Sequence, residues 1–420
     1  MRVERHGAGW RERPHEIWIA VLALGVALSP TNTKIAGAAW LLVCLAGFFL
    51  FFRKPAAQDD ERAAAVKAWL IACAVAAALA TALALRWPDG PDTLHAEFRL
   101  LLAAAAVVPL VRHLPPAERW RALTFPAVAL ACVAALGTVA VTSDRLYLPS
   151  NALPWSVSVT FLLCLLLPEL FGGHVGPARR KWYGLALLAG LGAILMSQSR
   201  GAFAILVWIA WLAATSWRTA HPGFRLRNVA LGGTVAAALF VSSAWLPSDP
   251  LRLRMGWNEV ATAQAQGNYN TSLGARIYLW SLAWRSIQAS PWIGVGGQER
   301  LAQIKEAGAE LPETRRAQLA LVRNVGHVHN QYLHAAMDGG LVGLASTLAV
   351  LAGLGAAAWR LRRFDPVASR QMQGVLFMHA TAGLTNVNMA HNYYAIMLSL
   401  SVTLILVGAG QRTGSDASSP

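Results

Sequence analysis

Apolar residues in this chain come in long runs, neither alternating as in strands nor thinned to a stripe as on a soluble helix. A helix crossing ~30 Å of hydrocarbon needs roughly 20 mostly apolar residues. Twelve segments meet that description, at about 16–30, 35–52, 63–85, 98–111, 122–141, 154–171, 182–197, 201–217, 229–246, 340–358, 371–388 and 392–409. Two of them nearly abut, separated only by Gln198, Ser199 and Arg200. The pattern predicts an all-α polytopic membrane protein with about 12 transmembrane helices and one large hydrophilic loop containing helices. Its divisions are 1–246 for helices one to nine, 247–330 for the loop, 331–409 for helices ten to twelve, and 410–420 for a disordered tail.

Composition agrees with lipid as the main solvent. Of 420 residues, 55% are hydrophobic and 14% charged, with mean hydropathy +0.43, whereas soluble domains carry about 25% charged residues. Net charge is +15, which in a soluble protein would suggest nucleic acid. Here the basic residues cluster on alternate connections: Arg2, Arg5, Arg11 and Arg13, then Arg112, Arg119 and Arg121, then Arg179, Arg180 and Lys181. The positive-inside rule puts these, and both termini, in the cytoplasm. Only Lys34, Arg86, Arg99, Arg145 and Arg200 fall in or beside the short outward connections. The charge is a topology signal, and nucleic acid drops out as a partner. The first apolar run has no small-residue cleavage site, so no cleavable signal peptide is expected. Cys44, Cys73, Cys132 and Cys164 lie inside apolar segments, which argues against disulfides and a cysteine metal site.

The outward loop carries a predicted helix capped near Ser272 and stopped before Pro291. At 100° per residue, Arg276, Leu279, Trp280, Ala283, Trp284 and Ile287 share one face, directing Arg276 toward the membrane or the protein body. Arg285 is on the opposite face and reads as solvated. For Arg276, spacing alone leaves a snorkelling or structural arginine and a ligand-binding one equally open. Ser290 to Gly297 is glycine-rich enough for a tight turn but follows no strand, and the GxxxxGK[ST] spacing is absent, so ATP coupling is not expected.

The strongest chemical signal is His327-Val328-His329-Asn330-Gln331-Tyr332-Leu333-His334. On a helix His327 and His329 point 200° apart, and no carboxylate or cysteine joins them except Asp338; no metal is expected. With a helix beginning near Asn330, its partial positive N-terminus disfavours imidazolium. A neutral histidine there suits a general base. A structural role for all three histidines is the competing reading. Gly339, Gly340 and Gly343 would let neighbouring helices pack closely. Arg200 ends Ser197-Gln198-Ser199-Arg200 on the outward side, as an interfacial anchor or as an anion site for bidentate phosphate binding.

These residues resemble the O-antigen ligase family of bacterial membrane glycosyltransferases. That family's signature is His-[Asn/Ser/Gln], nine residues, Gly, two residues, then Gly, Thr or Tyr. His329-Asn330 followed by Gly340 and Gly343 matches it in full. The span count, the large loop before the motif, Arg200 before Gly201, and Arg276 extend the likeness. The resemblance implies a Gram-negative inner-membrane enzyme working at the periplasmic face. Its donor would be undecaprenyl-pyrophosphate-linked O-antigen polysaccharide and its acceptor a hydroxyl of the lipid A-core oligosaccharide, without ATP, metal or other cofactor. It makes His329 the general base and Arg200 and Arg276 the pyrophosphate-binding residues, with inversion at the anomeric carbon. Asn330, Arg145, Lys34, Arg323 and His327 are secondary candidates for substrate contacts. Asp338 falls inside the spacer and receives no role.

Two relatives share this plan and donor: O-antigen polymerases and protein O-oligosaccharyltransferases, some of which show doubled histidines before Asn, as His327 and His329 do here. A transporter or flippase is disfavoured because no span holds a convincing buried charged pair or matched broken helices.

Overall fold

The computed structural model describes residues 13–53, 60–87, 95–113, 117–142, 147–171, 175–220 and 253–410. Among them every regular element is helical. In order these are α1 (Arg13–Leu28), α2 (Thr33–Phe51), α3 (Asp60–Arg86), α4 (His95–His113), α5 (Ala117–Thr142), α6 (Ala152–Phe171), α7 (Pro177–Met196) and α8 (Ala204–Ala220). The loop contributes α9 (Leu253–Gln266), α10 (Ser272–Ala289), α11 (Gly297–Lys305), α12 (Glu313–Ala317) and α13 (Ala320–Arg323). The chain closes with α14 (Gln331–Phe364), α15 (Pro366–Gly383) and α16 (Asn392–Gly408). Each expected apolar segment falls on one of these helices except 229–246, which lies outside the described residues. Among the described residues five helices are long and apolar enough to cross a membrane: Thr33–Phe51, Glu61–Arg86, Ala117–Thr142, Ala152–Phe171 and Gln331–Phe364. Shorter apolar helices cover Glu16–Leu28, Arg200–Ser216 and Asn392–Gly408.

A helix that is apolar on every side belongs in an interior. α6 and α16 are such helices, buried from Pro154 to Glu169 and from Tyr393 to Gly408. The helices around them turn Phe48, Phe49, Leu85, Leu188 and Val207 outward. An apolar exterior of that extent needs a non-aqueous solvent. These are the features of an all-α membrane protein. All four cysteines are free.

The connections gather at two ends. At one, Glu16 pairs with Arg119. Arg62 donates to the carbonyls of Leu406 and Val407, and Arg121 donates to Asp365 at 3.2 Å and to the Gly408 carbonyl at 2.9 Å. At the other, Trp155 Nε1 donates to the Pro30 carbonyl at 2.8 Å and Ser156 Oγ to Ser197 Oγ at 2.7 Å. Every one of these contacts joins connections that the charge alternation assigned to the same side.

α14 is not one continuous helix. Gly340 has φ 59° and ψ −148°, a conformation open to glycine and costly for other residues. Into this break comes the chain from Pro291 to Gly296. The carbonyls of Met337 and Asp338 accept from the N–H groups of Val295 (2.8 Å) and Gly296 (3.0 Å). The N–H groups of Leu341 and Val342 donate to the carbonyls of Pro291 (2.8 Å) and Trp292 (3.3 Å). A broken helix is tolerable at membrane depth only where other protein re-satisfies its backbone, and here the loop does so. The glycines at 339 and 340, expected to serve helix packing, thus also dock the periplasm-assigned loop onto α14. Gly294 (φ 66°) is the loop's half of the joint: a Cβ there would lie 2.4 Å from the Asp338 carbonyl carbon.

Candidate functional site

Four segments converge at the end opposite the Arg62–Asp365 contacts. The first is the stretch leading into α14. Asn330 caps that helix, its Oδ1 accepting from the N–H groups of Tyr332 (3.0 Å) and Leu333 (3.1 Å) while Nδ2 donates to the Leu384 carbonyl. A secondary candidate for substrate contact, it has its oxygen on the helix terminus and its amide nitrogen on the turn after α15. Just before it, His329 has φ 53°. The histidine pair is therefore not helical: the left-handed residue folds the two rings edge to face, centroids 4.3 Å apart, where helical spacing would turn them away from each other.

The second segment is α10, one residue off expectation at its start: Thr271 is the cap, accepting from the Gly274 N–H. Its buried stripe is Ala275, Leu279, Ala283 and Ser286, with Trp280 and Trp284 bordering it at 36% and 57% exposure rather than lying within it. Trp280 has a specific task, donating Nε1 to the Val328 carbonyl at 2.9 Å and so tying α10 to the residue before His329. Arg276 stands beside this stripe, half-buried. Burial and then the like charge of Arg200 lower its pKa, with Glu259 of α9 opposing.

The third segment is the turn from Ser197 to Phe203. Gln198, φ 53°, shares the left-handed region with His329, and among the described residues these two are the non-glycine examples. Arg200 opens a 3-10 turn ahead of α8 and reaches α9, where a Cβ at Gly256 would lie 2.9 Å from its Nη1. Two guanidiniums close enough to oppose one another make a place that an anion would relieve.

The fourth is the turn between α15 and α16, which apolar patterning covered with two nearly continuous spans. The segment expected at 371–388 leaves the helix after Gly383. His329 Nδ1 lies 3.3 Å from Asn386 Oδ1, and Asn386 Nδ2 donates to Asn388 Oδ1 at 3.1 Å. Asn386 Nδ2 is engaged by Asn388, leaving its oxygen to accept; this arrangement suits the Nδ1–H tautomer of His329, in which the Nε2 lone pair is open. Burial first, then His327 and Arg276, push His329 down to about 3, the bond to Asn386 offsetting part of this. Burial, His391 and Arg300 push His327 down to about 4. Both rings are neutral at pH 7.

Lys34 is exposed in the first turn of α2. Arg323 ends α13 and donates Nε to the Lys305 carbonyl at 3.0 Å, within the loop. Arg145 lies outside the described residues. Among the described residues no group of three or more His, Cys, Asp or Glu is arranged to hold a metal. Asp338 does have partners: Arg300 Nε at 2.7 Å and His334 Nε2 at 3.6 Å. Arg300 also donates to the Gly326 carbonyl, clamping the loop to α14. Asn386, Asn388 and Arg300 escaped the sequence reading. For the asparagines a signal existed: Asn386, Asn388, His391 and Asn392 crowd into one short stretch of an otherwise apolar region.

The arrangement holds one imidazole with an open lone pair and two guanidiniums electrostatically coupled to it or to each other. Residues 185–348 match a family model described as O-antigen ligase. The match bears out the resemblance drawn from the histidine motif, and its segment contains Arg200, Arg276, His329, Gly340 and Gly343. No curated protein matches the chain.

Proposed function

We propose that this chain, which the O-antigen ligase family match ties broadly to ligase or polymerase-type activity, is a ligase. It transfers undecaprenyl-pyrophosphate-linked O-antigen polysaccharide to a hydroxyl of lipid A-core oligosaccharide at the periplasmic face of a Gram-negative inner membrane. The observation that carries the reading is the neutral His329, its Nδ1 committed to Asn386 and its Nε2 open, beside Arg276. His329 Nε2 takes the proton of the acceptor hydroxyl as that oxygen bonds to the anomeric carbon of the donor. The bond from that carbon to the pyrophosphate oxygen breaks on the opposite face, giving inversion. Undecaprenyl pyrophosphate departs with the negative charge, which Arg200 and Arg276 neutralise. The activated donor carries the driving force, so no nucleotide takes part.

The test is genetic and then biochemical. His329→Ala, expressed in a strain lacking its own ligase, should give no O-antigen ladder on a lipopolysaccharide gel; full-length ladders would remove the general-base role. Purified protein given lipid-linked glycan and two acceptors, core-lipid A and a pilin-like protein, should glycosylate the first. The edge-to-face pair of His327 and His329 keeps the protein-glycosylating relatives as the second reading, and a glycosylated pilin would select it.

A further inference from the structure

A cavity of about 310 Å³ is lined by one face of α14's first turns, at Gln331, His334, Ala335 and Asp338, while Leu333 and Met337 on another face pack with α10, the helix that carries Arg276. Its walls include Trp87, Glu97, Gln331, His334 and Asp338. Glu97 Oε2 and His334 Nδ1 are buried there with no hydrogen-bond partner among the described residues. Buried polar atoms are nearly always satisfied, so two orphans in one cavity mark hydrogen-bonding capacity kept for something else.

The turn between α15 and α16 orders this cavity relative to the catalytic candidates. Thr385 lies against the Arg200 turn, where a Cβ on Gly201 would come 2.5 Å from its Oγ1. Asn386 holds His329. Val387, Met389 and Asn392 then line the cavity, with the Met389 N–H donating to Gln331 Oε1 at 3.1 Å. Along this one strand of chain His329 sits between the arginines and the cavity.

In-line displacement requires the attacking hydroxyl and the leaving pyrophosphate to lie on opposite faces of the anomeric carbon. A base placed between an anion site and a second cavity therefore assigns the second cavity to the attacking partner. Its chemistry says what kind of partner. Its one buried guanidinium, Arg300, is already held by Asp338, and burial pushes the second acid, Glu97, toward its neutral form, so nothing in the lining is left to hold a phosphate. Carboxyl, imidazole and amide groups instead suit the paired donor and acceptor character of sugar hydroxyls, and Trp87, whose ring has Arg86 over it at 4.5 Å and Gly296 packed against it, adds apolar surface to the lining. The volume is that of a small ligand pocket and admits a saccharide unit.

We infer that this cavity is the acceptor subsite, binding a neutral sugar unit of the acceptor glycan through Glu97, His334 and Trp87; the inference rests on the ligase reading for the word acceptor, and on geometry for the site. The test uses the full-length protein in detergent and deacylated core oligosaccharide as the probe, titrated calorimetrically. Two variants are compared with the parent: Glu97→Gln, which preserves shape, and Ala80→Trp, which fills the cavity from α3. Losing one of the carboxyl group's hydrogen bonds should weaken binding roughly five- to tenfold in Glu97→Gln, and Ala80→Trp should abolish it. The KM for acceptor should rise in parallel while the KM for lipid-linked donor stays put. Equal binding in all three proteins, or none in the parent, overturns the subsite. A parent that binds the oligosaccharide but transfers nothing to it supports the saccharide site and instead removes the ligase reading.

Discussion

His329 carries a backbone cost together with its chemistry. A non-glycine residue held at φ 53° gives up about 1 kcal/mol or more, and such outliers concentrate at functional sites. His329→Gly should therefore abolish transfer while raising the unfolding free energy by up to about 1 kcal/mol, visible as a higher Tm in detergent. A lower Tm would mean that the ring is needed for folding. Asn386 is the residue that fixes which nitrogen of His329 is open. Asn386→Leu removes the acceptor and should cost roughly 10- to 100-fold in kcat, as partners of working histidines usually do, with little change in donor KM. The pH dependence follows from burial. An unperturbed imidazole is about half protonated at pH 6.5 and roughly nine-tenths at pH 5.5, but His329 is held down to about 3. kcat/KM should thus stay level from pH 7.5 to 5.5; a fall centred near 6.5 would contradict the buried, neutral base. For stability, the unfolded imidazole binds its proton near 6.5 and the folded one near 3, so the unfolded state holds more protons between them. Stability contributed by this group is complete above about pH 6.5 and is lost as pH falls toward 3. His329, Arg200 and Arg276 stand out in the sequence, His329 by its motif and the two arginines by charge placed against the local pattern. Asn386 does not, since its role depends on a turn lying 57 residues downstream.

At the scale of elements, the joint between α14 and the loop decides whether the site exists. The Pro291–Gly296 stretch supplies the hydrogen bonds that the broken helix lacks, and Trp280, Arg300 and Asn330 then fix the segment that carries His329. A Cβ at Gly340 would lie 2.3 Å from the Trp292 carbonyl carbon, besides the cost of φ 59°. Gly340→Ala should lower the unfolding free energy by about 3 kcal/mol or more and lose transfer with His329 untouched. Gly137, inside α5 with nothing within 4 Å of its would-be Cβ, is the control: Ala there should be neutral or stabilise by up to about 1 kcal/mol. Differential scanning of the two purified variants checks both; equal melting would mean that the joint is not under strain. The helices themselves were readable from apolar runs, because burial of a whole segment needs only composition. The break was not, because Gly339-Gly340 is equally suited to close helix packing, and only the loop arriving from 45 residues upstream distinguishes the two uses.

For the whole molecule, the two ends have different jobs. Arg62, Arg119 and Arg121 hold the α1, α3, α5 and α16 ends together on one side, while His329, Arg200 and Arg276 meet on the other. The positive-inside rule puts the first end in the cytoplasm, which would leave the imidazole and the arginines facing the periplasm. A pyrophosphate-activated donor can be used on that side without a nucleotide, so sidedness and chemistry stand or fall together. The four native cysteines lie in apolar helices, three of them buried, so new surface thiols can be read above them. Glu299, exposed on α11, and Arg179, exposed at the start of α7, mark the two ends. With an impermeant maleimide on intact spheroplasts, Glu299→Cys should label at once and Arg179→Cys only after lysis. The opposite order would place His329 in the cytoplasm, where ATP is at hand and the reason for doing without it disappears.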